Sequence, residues 1–399
     1  MAFLRLAFAF FFCVRFDISP PNSIPPYRKV QQLPTSGATL ARMEKFGFVG
    51  LPNAGKSSLY NALTGGSALA APYAFATTDP NIGVAKVPDH RLELLTEMSA
   101  SKSSVHASVQ FTDIGGLVEG ASQGEGLGNQ FLGNIREVDA VVYVLRAFED
   151  EDVPGIPDPL EQLRILEIEL TLADLESVEK NATKRIKAAR LDKSLAEEVD
   201  ALESALEILS DGVPLYRSGI GIERLKVLQP YFLLTGKPVM AIVNVGDDQL
   251  LDEEPAKRVA SELGQSADVI SVCVQLEAET SQLPLDERAE ILDGFGLGDG
   301  ALPRFIQRAY HILGLRTFLT TGEKESRAWT FRSGSTAPEA AGRIHTDFQR
   351  GFIRAETIQW NELLQAGGWA PAKDQGKVRI EGKDYVVQDG DVMDFRFNV

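Results

Sequence analysis

The sequence predicts an α/β fold built on a mostly parallel sheet, with an inserted helical hairpin and a small β-rich domain at the end. Three observations predict it. From Met43 onward, short apolar runs alternate with helical stretches; between Pro157 and Tyr231 leucines recur at steps of three and four; and after Leu315 the charge balance changes. These are the patterns of a sheet covered by helices on both faces, a two-helix arm and a separate small domain.

Taken in order, residues 1–42 read as an N-terminal extension. Leu6–Val14 is apolar between Arg5 and Arg15, and the segment carries five basic side chains against Asp17 alone. That resembles a leader, or else residues upstream of a mis-assigned start, because Met43-Glu-Lys-Phe-Gly-Phe-Val-Gly50 runs straight into a strand. Strands are predicted at Phe46–Val49, Val105–Thr112, Ala140–Leu145, Val239–Val243 and Val269–Val274. Val105, Ala107, Val109 and Phe111 alternate with polar residues, predicting one strand with a polar face. The unbroken apolar run at Ala140–Leu145 predicts burial on both faces. Leu163, Leu166, Leu170 and Ala173, then Leu195, Val199, Leu202, Leu206 and Leu209, predict a coiled-coil-like hairpin or a plain helix pair packed on the sheet. The predicted divisions are 43–157 and 233–315 for a sheet domain in two parts, 158–232 for the helical insertion and 316–399 for the last domain, with one helix near Pro338 to Phe352.

Composition narrows the function. The chain has 399 residues, 44% hydrophobic and 24% charged, which excludes disorder and a disulfide mini-protein. The net charge of −16 makes it a poor non-specific nucleic-acid binder, so any RNA contact must be local. The last domain, with 12 basic and 12 acidic residues from Arg316 on, is the least repelled face. Lys184-Arg185-Ile-Lys187-Ala-Ala-Arg190 on the hairpin is a second candidate, or simply a solvated helix face. Cys13 and Cys273 are the only cysteines, which fits a reducing compartment. Four histidines without HExxH or CxxC spacing predict no zinc site. No apolar stretch is long enough to span a bilayer, so no membrane is expected.

The chemistry sits on turns after strands. Gly50-Leu-Pro-Asn-Ala-Gly-Lys-Ser57 fits GxxxxGK[ST] between a strand and a helix. Glycines there let main-chain amides close on phosphate oxygens; Lys56 reaches the β and γ phosphates and the Ser57 hydroxyl meets Mg²⁺. Asn53, Ala54, Gly55, Lys56, Ser57 and Ser58 are the expected phosphate contacts. Asp113, ending a strand, suits the role of holding Mg²⁺ through water, and Gly116 can offer its amide to a γ-phosphate. In Phe75-Ala-Thr-Thr-Asp-Pro80, Thr77 is the expected third Mg²⁺ contact, with Thr78 as its rival. Gly120-Ala-Ser-Gln-Gly-Glu-Gly-Leu-Gly128 is too rich in glycine for a fixed element and is expected to rearrange with nucleotide state. Asn244-Val-Gly-Asp247 stands where GTP readers carry Asn-Lys-x-Asp; Val245 replaces the lysine, Asp247 keeps a carboxylate, and base choice stays open. Cys273-Val274 is where a further base-contacting loop would lie.

These residues together resemble the YchF/Obg-like ATPase family of TRAFAC P-loop NTPases, over nearly all of 43–399. The most specific strings are Asp113–Leu132, Ala328-Trp-Thr330, Ile344-His-Thr-Asp-Phe348, Gly351–Ile358 and Asp389–Val399. The resemblance implies a P-loop G domain split by the helical insertion, a C-terminal TGS domain, ATP as substrate with GTP as alternative, and association with the ribosome, through the large subunit and rRNA. It implies slow, Mg²⁺-dependent hydrolysis in the cytoplasm, or in an organelle if residues 1–42 are a leader, with a partner or K⁺ accelerating turnover. Lys56 and Gly116 are the expected catalytic contacts, Asn244, Val245 and Asp247 the base contacts, and a monomer the expected state. Three points bear on mechanism. Leu117 occupies the position of the water-orienting glutamine, as elsewhere in the family. Glu149–Gly155 lacks the histidine that many relatives carry, and Asp247 stands where relatives have glutamate. A GTP-binding translation factor, and a nucleotide-controlled switch with incidental hydrolysis, remain alternatives.

Overall fold

The computed structural model describes residues 43–65, 82–114, 127–264 and 267–398. The first part of the chain supplies β1 (Lys45–Val49), α1 (Lys56–Gly65), β2 (Ile82–Lys86), α2 (His90–Met98), β3 (Ser104–Val105), β4 (Ser108–Asp113), α3 (Leu127–Glu137) and β5 (Ala140–Arg146). The insertion is α4 (Pro159–Ala189), α5 (Ala196–Ser210) and α6 (Ile222–Leu228). β6 (Val239–Asn244), α7 (Glu254–Leu263), β7 (Asp268–Val272), α8 (Val274–Thr280), α9 (Leu285–Gly294) and α10 (Ala301–Ile312) return to the first sheet. The last domain is β8 (Leu315–Thr320), β9 (Ser326–Arg332), α11 (Ala337–Ile344), α12 (Thr346–Arg350), β10 (Phe352–Gln359), α13 (Trp360–Ala366), α14 (Trp369–Asp374), β11 (Arg379–Glu381) and β12 (Asp391–Phe397).

The first sheet has the order β2-β4-β1-β5-β6-β7, parallel except for β2 against β4. Every residue of β5 and β6 is buried, as two central parallel strands under helices on both faces require. On one face Phe46, Phe48 and Phe111 join Phe305 of α10; Phe48 and Phe111 stack at 5.4 Å with 4° between planes. On the other, Val141, Tyr143 and Val243 meet α3, α4 and α7. The site-bearing turns all leave the C-terminal ends of these strands, where open parallel sheets place their ligands.

The expected strand Val105–Thr112 is two strands in two sheets. β3 pairs with β9 of the C-terminal sheet (order β11-β10-β12-β8-β9-β3), while β4 pairs with β1 and β2. The alternation runs unbroken through His106, but Ala107 gives its carbonyl to Val87 N–H, turning the chain between sheets. Nor does β4 have an exposed polar face: Gln110 is buried beside Val109 and Phe111. β7 stops at Val272, with Cys273 capping α8. The helix expected near Pro338 to Phe352 is two, α11 and α12, broken at the extended His345.

In the insertion, Asp158 caps α4 and Pro159 opens it, the arrangement of a helix start. The four leucine-row residues Leu163, Leu166, Leu170 and Ala173 pack on the sheet domain, not on the hairpin partner. Only the outer half of α4, with Val178 and Ala182, packs on Ala201, Leu202, Ala205 and Leu209 of α5. The arm is therefore one long helix rooted in the sheet domain and a second laid against its distal end. Among the described residues, no helix is long and apolar enough to cross a membrane.

Candidate functional site

The turn between β1 and α1 begins against the sheet. A Cβ on Gly50 would lie 2.4 Å from the Val144 carbonyl oxygen of β5, so the loop hugs the strand only because that residue is glycine. Gly55 has φ +99 and a Cβ there would lie 2.4 Å from Asn244 Nδ2. The space saved is used: Asn244 Nδ2 donates to Ala54 O at 3.1 Å, and Asn244 Oδ1 accepts from Val274 N at 3.2 Å. The buried Asn244 amide thus ties the loop to the start of α8.

Lys56 opens α1, whose first turn carries no acid, so its amides remain attractive to anions. Its side chain is 6% exposed, and Nζ donates to Leu51 O at 2.8 Å. Burial pulls the Lys56 ammonium below its ordinary value, while the Asp113 charge opposes that shift. Ser57 Oγ donates to Asp113 Oδ2 at 2.7 Å, so strand end and helix start meet at hydrogen-bond distance. A cleft of about 710 Å³ opens beside them, lined by Asn53, Gly55, Lys56, Ser57, Ser58, Asn244, Val245, Gly246 and Asp247, with Phe148, Glu149, Asp150 and Val153 on a second wall. That volume suits a nucleotide-sized ligand.

Several expected contacts are placed differently from their neighbours. Ala54 is 1% exposed, its side chain in the core and its amide bonded to Leu51 O at 3.3 Å. Val245 is 2% exposed, packed in the core, with its amide on Val272 O. Asp247 is exposed at the start of a 3-10 turn, Asp247–Gln249, where Gly246 N donates to Gln249 Oε1. Cys273 is buried, and burial pushes its thiol up, so it offers no thiolate. Thr77, its rival Thr78, Gly116, Leu117 and residues 120–126 of the glycine-rich run lie outside the described residues, as does the extension 1–42; the last two residues of that run, Leu127 and Gly128, belong to a fixed element after all, because they open α3.

The donors suit Mg²⁺. Ser57 and Asp113 offer hard oxygens side by side, and among the described residues no group of three or more His, Cys, Asp or Glu side chains forms a cage of its own. Mg²⁺ is held in this way, by one or two protein oxygens with phosphates and water completing the shell.

Sequence reasoning missed Arg146. It ends β5, is 3% exposed and donates to carbonyls of the 148–154 loop, which forms the second wall of the cleft. The charge at the end of an otherwise apolar run, Ala140–Arg146, was the available signal.

Two family models match: "50S ribosome-binding GTPase" over residues 45–196, and YchF-GTPase_C, described as "Protein of unknown function (DUF933)", over residues 315–398. The chain is 46% identical over 361 residues to the Ribosome-binding ATPase YchF of Bacillus subtilis, covering 88% of this chain and 99% of that protein. The chain belongs to the YchF family. The Escherichia coli O157:H7 member, also a Ribosome-binding ATPase YchF, is 43% identical over 363 residues, covering 89% of this chain and 99% of its own. Among solved structures, the Schizosaccharomyces pombe YchF GTPase superposes with a TM-score of 0.80 at 33% identity, covering 90% of this chain and 98% of that one. The fold is the P-loop G domain of YchF proteins with its helical arm and C-terminal domain, and YchF membership makes the chain a nucleotide hydrolase.

Proposed function

We propose that this chain is a slow, Mg²⁺-dependent ATPase that docks on the ribosome. One observation carries the reading: Lys56 and Ser57 line one cleft, with Asp113 bonded to Ser57 beside it, in a member of a family whose bacterial relatives are named ribosome-binding ATPases. The main-chain amides of Asn53 to Ser58 cradle the β and γ phosphates, with Lys56 swinging from Leu51 O onto them. Ser57, Thr77 and Asp113 would hold Mg²⁺, and the ion, when bound, would supply neutralisation of phosphate charge. Gly116 contacts the γ-phosphate through its amide. No glutamine follows Gly116 and no histidine lies in 149–155, so these residues position the reacting groups and supply no general base. Electrostatic positioning alone gives slow turnover, and the ribosome or K⁺ completes it.

Asn244, Val245 and Asp247 form the base end of the site. Asp247 supports GTP as a second substrate, as does the S. pombe relative's description as a GTPase. The exposed Lys184 and Lys187 on α4, Arg190 at its C-terminal cap and the C-terminal domain are the surfaces for rRNA. The divisions 43–157 with 233–315, 158–232 and 316–399 serve respectively as the nucleotide-binding, arm and TGS parts of this machine. The test is single-turnover hydrolysis of ATP and GTP, with and without ribosomes. The reading predicts slow hydrolysis alone and at least tenfold acceleration by ribosomes that co-sediment with the protein. No acceleration together with no co-sedimentation overturns it. Equal ribosome affinity with ADP and with a non-hydrolysable analogue would remove the switch alternative.

A further inference from the structure

We propose that Arg146 is a positioning residue of the nucleotide site, clamping the 147–155 loop as a wall of the cleft and joining that wall to the P-loop. The inference rests on the cleft being the nucleotide site. A guanidinium that is 3% exposed needs protein acceptors, and four of its five N–H donors find one. Among the described residues no carboxylate pairs with it; main-chain carbonyls do. Nε donates to Phe148 O at 2.9 Å, one terminal nitrogen to Val153 O at 2.9 Å and Pro154 O at 3.4 Å, and the other to Asp150 O at 3.4 Å. The guanidinium carbon also lies 4.5 Å from the Phe148 ring centroid.

All four carbonyls belong to the segment that presents Phe148, Glu149, Asp150 and Val153 to the cleft. That segment has little structure of its own. Its internal bonds are Val153 N to Asp150 O and Asp152 N to Asp150 Oδ1, and four consecutive acids from Glu149 to Asp152 repel one another. A central cation holding the carbonyls inward is what gives the wall one shape. The clamp has two anchors. Gln162 of α4 fixes the Arg146 main chain, accepting from its N at 2.9 Å and donating to its O at 3.0 Å. Pro154 O, held by Arg146, also accepts from Asn53 Nδ2 at 3.2 Å, and Asn53 is a P-loop residue at φ +63. The root of the arm, the cleft wall and the phosphate loop are thus joined through one guanidinium.

The test uses the full chain and a fluorescent ADP analogue, with ATP hydrolysis at saturation as a second reading. Arg146→Met should weaken nucleotide binding at least tenfold and raise KM, with kcat falling less than threefold. Arg146→Lys keeps the charge but not the fork and should recover part of the affinity. Asn53→Ala should weaken binding severalfold in the native background and by less than 1.5-fold in the Arg146→Met background, because their link runs through Pro154 O. Binding by Arg146→Met within twofold of the native protein, or an Asn53→Ala effect of the same size in both backgrounds, overturns the inference. If Arg146→Met fails to fold, Arg146→Lys carries the test alone: a threefold or greater loss of affinity supports the clamp and native affinity overturns it. If the native chain itself takes up no nucleotide, the reading of the cleft fails first, an outcome distinct from native binding with insensitive variants.

Discussion

Removing the Asn244 amide should loosen the P-loop more than it unfolds the protein. In the structure this side chain is 5% exposed and makes two bonds, to Ala54 O at 3.1 Å and from Val274 N at 3.2 Å. Asn244→Ala deletes both and orphans a buried carbonyl and a buried amide. Each orphaned buried group costs about 1–3 kcal/mol, so the two together should cost about 2–6 kcal/mol. Asn244→Asp separates the halves. It retains an acceptor for Val274 N but turns an oxygen toward Ala54 O, so only the P-loop side is broken. If anchoring of the loop governs phosphate binding, both variants should lose nucleotide affinity to a similar degree, about tenfold for 1.4 kcal/mol. Chemical unfolding read by circular dichroism gives the stability and a fluorescent-nucleotide titration gives the affinity. Native affinity in Asn244→Asp, beside a clear loss of stability in Asn244→Ala, would refute the reasoning.

Two further predictions follow from buried charges. Lys56 sits below its ordinary value of 10.5 because it is buried, with Asp113 opposing. The unfolded chain therefore binds more protons between the lowered value and the ordinary one, and the free protein gains stability as pH rises through that window. Phosphates favour the ammonium, so nucleotide binding in the same window should take up protons and weaken as pH climbs; calorimetry in two buffers of different ionisation heat should give different apparent enthalpies, and equal ones would contradict this. Glu277, 2% exposed, accepts from Arg288 at 2.9 Å and from the Ala301 amide at the start of α10. Glu277→Leu strands a buried guanidinium and should cost about 3–5 kcal/mol, measured as a lower denaturation midpoint.

How much of this was legible depended on the range of the interactions. The phosphate turn was readable because its residue types fall within eight consecutive positions flanked by strand and helix, although the atoms that Gly50 and Gly55 make room for belong to Val144 and Asn244, distant in sequence. The buried central strands were readable from unbroken apolar runs. What failed was anything decided by distant partners. Val105 and Val109 share one alternating pattern yet lie in two different sheets, because a period of two reports a strand and not its neighbour. Leu163 and Val178 share a helical stripe yet face different cores. Arg146 meets main-chain carbonyls, which have no residue type to recognise, so no motif announces it. Asn244 was legible as a site residue, while its part in bracing Ala54 emerged only from the distances.

The function of the whole cleft depends on Lys56 gripping a purine triphosphate. Calorimetric titration of the native chain and of Lys56→Ala with Mg-ATP, with GTP as competitor, tests it most directly. Saturable one-site uptake by the native protein and at least a tenfold loss in Lys56→Ala are expected. Undetectable uptake of either nucleotide by folded native protein, or identical binding by the variant, would contradict it.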